Sequence, residues 1–128
     1  MSPCPCGSNQ AYSNCCEIIH KNTTLADMPE KLMRARYSAH ALNLVDFILA
    51  TYHPSCDAKQ YRQSIKQATT YQWNKLQIIR ANPPSDVEGF VEFKAEFSYQ
   101  DQIYHMHEKS RFIKENNLWF YIDGDFFS

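Results

Sequence analysis

From Phe90 to Tyr99 the chain alternates with a period of two: Val91, Phe93, Ala95, Phe97 and Tyr99 against Glu92, Lys94, Glu96 and Ser98. Successive side chains on a strand point to opposite faces, so this pattern predicts a strand with one buried face and one wet face. A turn at Gln100-Asp101 then predicts a hairpin into a second strand over 102–114. Glu115-Asn116-Asn117 turns into a third at 118–122, closed by Asp123-Gly124. Upstream, 73–81 is rich in Leu and Ile and ends at Asn82-Pro83-Pro84-Ser85-Asp86, a strong turn signal. Four antiparallel strands in a meander are therefore expected after residue 71.

Residues 21–70 carry a helical period instead. Asp27-Met28-Pro29-Glu30 reads as a helix start, with Asp27 as the cap and Pro29 in the first turn. Leu32, Ala35/Arg36 and Ala39 then form one stripe. A second helix is expected over 44–52, ended by His53-Pro54 because a residue before proline avoids the α region. Asp57 is expected to cap a third, over 58–69. Helices followed by a long antiparallel sheet make an α+β fold, with a curved sheet wrapping a helix and leaving a conical pocket at one end.

Composition changes this picture little and narrows the function. Across 128 residues, 44% are hydrophobic and 21% charged, which is globular. The formal net charge of −1 argues against a nucleic-acid binder, which would need a basic excess. No run of 18 apolar residues exists and no apolar signal core follows Met1, so no membrane is expected and a cytoplasmic location is.

The N-terminus carries the sharpest chemistry. Cys4, Cys6, Cys15 and Cys16 lie within 13 residues, in two close pairs separated by a short loop. In a reducing compartment such thiols are ligands rather than disulfides, and four thiolates are a usual structural donor set for zinc. With every coordination position filled by sulfur, the ion would be structural rather than catalytic. Gly7 after Cys6 frees the backbone for the tight turn. His20 is a substitute ligand, and Cys56 stands apart as a bystander.

The stretch Cys4-Pro5-Cys6-Gly7-Ser8, with Tyr12 and Cys15-Cys16, resembles the SEC-C motif, which binds zinc at the C-terminus of the bacterial secretion ATPase and contacts a chaperone there. That ATPase's last ligand is a His where this chain has Cys16. Four further stretches, at 32–39, 50–54, 107–112 and 119–124, resemble the bacterial YchJ family, which joins SEC-C motifs to a domain similar to the nuclear transport factor 2 (NTF2) fold. The resemblance implies a knuckle at 1–20 and an NTF2-like cone at 21–128.

Within the cone, Tyr104, Met106, Glu108, Ser110 and Phe112 share the expected inner face of the 102–114 strand, and His105, His107, Lys109 and Arg111 the outer one. A buried Glu108 must be paired or its pKa rises, and Arg34 or Arg36 from the first helix are the expected partners. Trp119, Tyr121 and Asp123 share a face of the last strand, which would place Asp123 at the pocket mouth. A catalytic reading makes Glu108 or Asp123 a general base with Tyr37 or His53 as its hydrogen-bonding partner. A scaffolding reading makes them a structural ion pair and a strand-end Asp. His105 and His107 form an i, i+2 pair with no third ligand in view. No catalytic motif is matched, so an interaction module is the leading expectation. Its knuckle docks a protein or ribosomal partner, and the domain supplies a small-ligand pocket or a homodimer surface. The rival is a small enzyme or ligand binder using the pocket carboxylate.

Overall fold

The computed structural model describes residues 2–127. Four short helices precede four strands: α1 (Cys16–Lys21), α2 (Pro29–Ala41), α3 (Val45–Ala50), α4 (Arg62–Ala68), then β1 (Gln72–Arg80), β2 (Glu88–Tyr99), β3 (Gln102–Glu115) and β4 (Leu118–Phe126). The strands form one antiparallel sheet in the order β1-β2-β3-β4, the meander that the alternation predicts. Among the described residues seven non-glycine positions have positive φ, and the pairs Gln100-Asp101 and Asn116-Asn117 are two hairpin turns. Turns with left-handed backbone at both central residues match the twist of the strands they join.

α2 starts at Pro29, whose ring presets φ for the first helical turn. The expected Asp27 cap is absent. Met28 occupies the N-cap with no side-chain bond, and Asp27 instead pairs with Lys31 at 2.9 Å. The helix is buried on more than one stripe: Leu32, Met33, Ala35, Arg36, Tyr37, Ser38 and Ala39 are all inside. Its layer lies between the inner face of the sheet and the N-terminal knuckle. One core therefore runs from Cys4, Cys6 and Cys16 through Leu32 and Met33 to Val91, Phe93 and Phe112. A smaller satellite joins Ala39, Ile48 and Ile65. The third expected helix splits into a 3-10 turn, Ala58–Tyr61, and α4, and Asp57 makes no side-chain cap bond.

β4 departs from the expectation in a way that matters for the site. It does not close at Asp123-Gly124 but pairs with β3 through Phe126. Arg111 faces Asp123 while Phe112 faces Tyr121, leaving Ile122 as one extra residue. This β-bulge reverses the side-chain alternation downstream of it. The open edge of β4 is met by Tyr52 as a short parallel bridge, with His53 N–H donating to the Tyr121 carbonyl at 2.8 Å and Tyr121 N–H to the Thr51 carbonyl at 2.9 Å. No helix among the described residues is long and apolar enough to cross a membrane.

Candidate functional site

Two sites emerge, at opposite sides of α2. The first is the cysteine cluster. Gly7, at φ 78°, closes a turn in which its N–H donates to the Cys4 carbonyl at 3.2 Å, and Cys4 N–H donates to the Gln10 carbonyl at 2.9 Å. A bridge between Pro3 and Ala11 zips the loop, and a 3-10 turn at Tyr12–Asn14 delivers Cys15 and Cys16 to the start of α1. The four Sγ atoms lie within 4.8 Å of one another, with Cys6–Cys15 at 3.6 Å and Cys15–Cys16 at 4.0 Å. Cys4, Cys6 and Cys16 are buried and Cys15 is partly exposed. This is a group able to hold a metal ion.

The surroundings favour a thiolate at Cys6, while burial disfavours one at Cys15, and the Cys6 contact and burial together disfavour one at Cys16. Ser8 Oγ lies 3.2 Å from Cys15 Sγ. Arg34, one turn along α2 from Glu30, donates to the Cys6 carbonyl at 2.9 Å and reaches Cys6 Sγ at 3.8 Å. Hydrogen bonding from Cys16 pulls the Cys6 pKa down to about 4, with Ser8, Cys4 and Arg34 adding to the pull against its burial. The same contact drives Cys16 upward, as does its burial. His20 is not a ligand here. Its Nδ1 meets the Tyr12 hydroxyl at 2.7 Å and its Nε2 the Ala35 carbonyl at 2.8 Å, so both nitrogens are engaged in tying the knuckle to α2. Burial holds this imidazole below its usual pKa. Cys56 is remote from the cluster, its thiol directed at the Ile122 carbonyl.

The second site is a cavity of about 220 Å3 between α2 and the inner face of the sheet. Glu108 lies in its wall, 5% exposed, as its place on β3 predicts. Its partners are not arginines. Ser110 Oγ donates to Glu108 Oε2 at 2.8 Å and Tyr121 OH donates to the same oxygen at 2.7 Å. Burial raises the Glu108 pKa, and these two donors, then the charge of Arg36, oppose the rise. Arg34 faces the knuckle instead. Arg36 does enter the cavity, but through its own bonds: Nη1 donates to the Ile48 carbonyl at 3.0 Å and to Thr51 Oγ1. Its guanidinium carbon stacks 4.4 Å from the Tyr52 ring centroid and 4.8 Å from that of Tyr121. Cations over desolvated aromatic faces are well held.

The other catalytic candidates do not converge on Glu108. Asp123 is moved by the bulge to the outer face, where Arg111 grips it in a bidentate pair at 2.9 and 2.7 Å and holds its pKa below the usual carboxylate range. His53 lies outside the cavity, bonding Ser55 and pairing with Glu115 at 3.1 Å. Tyr37 lines the cavity, but its buried hydroxyl has no partner among the described residues, and burial pushes its pKa up to about 12. His105 and His107 stay on the outer face, paired with Glu96 at 3.2 Å and Glu92 at 2.6 Å. Sequence reasoning missed Tyr52 and Tyr121 as the clamp on Arg36, and Ser110 and Tyr121 as the donors to Glu108.

Comparison with known proteins agrees with both halves of the architecture. Residues 28–124 match the family model described as YchJ, middle NTF2-like domain, and residues 2–18 match the SEC-C motif. A UPF0225 protein of Vibrio parahaemolyticus is 52% identical over 126 residues, covering 98% of this chain and 75% of that protein. A UPF0225 protein of Yersinia pestis is 44% identical over 125 residues, covering 94% and 81%. The solution structure of a SEC-C motif containing protein from Rhodopseudomonas palustris superposes with a TM-score of 0.87 at 28% identity, covering 99% of this chain and all of that one. The crystal structure of a SEC-C motif containing protein from Psychrobacter arcticus gives 0.79 at 29% identity, covering 96% and 81%.

Proposed function

The chain belongs to the YchJ family, and from that premise we propose that its four cysteines hold one structural zinc ion and that the knuckle face docks a protein or ribosomal partner. One observation carries the metal assignment. Four zinc–sulfur bonds of about 2.3 Å in a tetrahedron need sulfurs about 3.8 Å apart. Two of the six sulfur separations, Cys6–Cys15 at 3.6 Å and Cys15–Cys16 at 4.0 Å, straddle that value, and all six lie within 4.8 Å. All-sulfur coordination suits zinc rather than magnesium or calcium, which take oxygen. With no fifth donor and no open position, the ion would hold the loop against α2 and do no chemistry.

The docking half is supported by what surrounds the knuckle. Ile18 and Leu25, 42% and 49% exposed, flank a groove reaching from Cys15 to Lys31 and Arg34. Exposed apolar side chains rimmed by polar groups suit a partner surface. The test is co-sedimentation with bacterial ribosomes and capture of lysate proteins, comparing wild type with Ile18→Asp, Leu25→Asp. The double variant keeps every cysteine, so loss of a partner with zinc retained supports docking through this face. Equal recovery from both refutes it.

A second reading is favoured by the cavity: a small-ligand binder using Glu108. A carboxylate held this deep, with aromatic walls, is the arrangement of a binding pocket rather than of a plain scaffold. Asp123 has no part in it.

A further inference from the structure

The cavity is built around its carboxylate. Gly124, opposite Ser110 on β4, is turned inward by the bulge. A Cβ at Gly124 would fall well inside contact distance of Glu108 Oε2, and 2.9 Å from Glu108 Cδ. No positive φ is involved, so this glycine serves space rather than backbone freedom. The sheet has thus made room for the carboxylate at that spot. Oε2 is occupied by Ser110 and Tyr121, whereas Oε1 has no hydrogen bond among the described residues. Arg36 is likewise part-engaged: Nη1 donates to Ile48 and Thr51 and the Tyr52 side chain also bonds the guanidinium, which leaves two of its five N–H donors unused among the described residues. Arg36 is 8% exposed and Glu108 5%, and both line the same cavity.

A free acceptor and free guanidinium donors in one small space make an edge-reading pair. Their charges offset, so a neutral occupant gives up less hydration than an ion does. The remaining walls are rings and thioethers, among them Phe93, Phe112, Met33 and Met106, which suit a flat apolar body. At roughly 30 Å3 per water the cavity holds about seven waters' worth of matter, a single small ring with its substituents. Phe126, 66% exposed, lines the cavity from the C-terminal end of β4.

We propose that this cavity binds a small, planar, neutral molecule whose edge presents a carbonyl beside an N–H, as in a lactam or an aromatic amide. The carbonyl accepts from Arg36 and the N–H donates to Glu108 Oε1, with the ring between the aromatic walls. The proposal rests on the cavity being a ligand site, the second reading above.

The test uses the full chain and three probes in NMR titrations: 2-pyridone, N-methyl-2-pyridone and benzoate. Contact with the cavity is read from the aromatic protons of Phe112 and Tyr121. We expect 2-pyridone to bind there and its N-methyl analogue to bind about tenfold more weakly, the factor that one unmade hydrogen bond carries. In Glu108→Ala the ratio between the two should collapse to near one, with Phe112 shifts showing the fold retained. Equal binding of the two pyridones to wild type overturns the edge assignment while leaving the cavity a ligand site. Preferential binding of benzoate also overturns it, since the site would then take an anion. No probe perturbing Phe112 or Tyr121 overturns both the assignment and the ligand-site reading.

Discussion

Replacing Gly124 by alanine tests the carboxylate cradle through stability alone. In a strand with ordinary backbone angles, glycine to alanine stabilises by roughly 0.5–1 kcal/mol, because glycine loses more freedom on folding. Here the new methyl meets Glu108 Oε2 inside contact distance, with Cδ at 2.9 Å and Cγ at 3.0 Å. The carboxylate must swing away and give up the bonds from Tyr121 at 2.7 Å and Ser110 at 2.8 Å. Hydrogen bonds to a charged group contribute about 1.5–3 kcal/mol each, and partial re-bonding returns some of it. The net expectation is a destabilisation of about 1–4 kcal/mol, opposite in sign to the usual effect. In a Glu108→Ala background nothing remains to displace, so Gly124→Ala should be neutral or stabilising. Urea unfolding of the four proteins forms a double-mutant cycle, with an expected coupling of about 1–5 kcal/mol. If Gly124→Ala stabilises equally with and without the carboxylate, the placement of Glu108 under β4 is wrong.

Two further outcomes follow from buried polar groups. Burial, with the nearby Arg36 charge, pushes the His40 imidazole from 6.5 down to about 4. The unfolded chain therefore takes this proton first: the stability is whole above pH 6.5 and is lost as pH falls toward 4, by at most about 1.4 kcal/mol per pH unit. Glu108, whose pKa is raised by burial, acts in the opposite sense, while His20 acts with His40. His40→Asn should flatten the acid limb of a stability–pH curve, and an unchanged slope would contradict the burial of this ring. Tyr37→Phe removes a buried hydroxyl without a partner among the described residues, a group whose burial costs about 1–3 kcal/mol. Thermal unfolding should show stability kept or gained, and a loss above about 1 kcal/mol would mean the hydroxyl is bonded after all.

Much of this fold is legible in the sequence because one strand states its faces. The alternation over 90–99 puts Val91, Phe93 and Ala95 inside, as found, and the hairpin then carries Glu108 and Phe112 to the same side. The cysteine spacing likewise announces the cluster, because its ligands are local. What could not be read is what depends on register and long-range packing. A bulge at Ile122 adds one residue that no alternation reveals, and it sends Asp123 outward and Gly124 inward. Arg34 and Arg36, two apart on one helix, point to different sites, and only the positions of the knuckle and the cavity say which goes where. His20 reads as a spare ligand on residue type alone, yet hydrogen bonds to Tyr12 and Ala35 occupy both its nitrogens. The Tyr52–Tyr121 clamp joins residues far apart in sequence, and its only local sign was an aromatic beside each predicted element end.

Elemental analysis of the full chain, purified without chelators, should give one zinc per molecule, and cobalt substitution should give the visible spectrum of a tetrahedral thiolate site. Cys15→Ser, Cys16→Ser should lose both. Zinc well below one per chain in the wild type, or undiminished in the double variant, would contradict the assignment of Cys4, Cys6, Cys15 and Cys16 as its ligands.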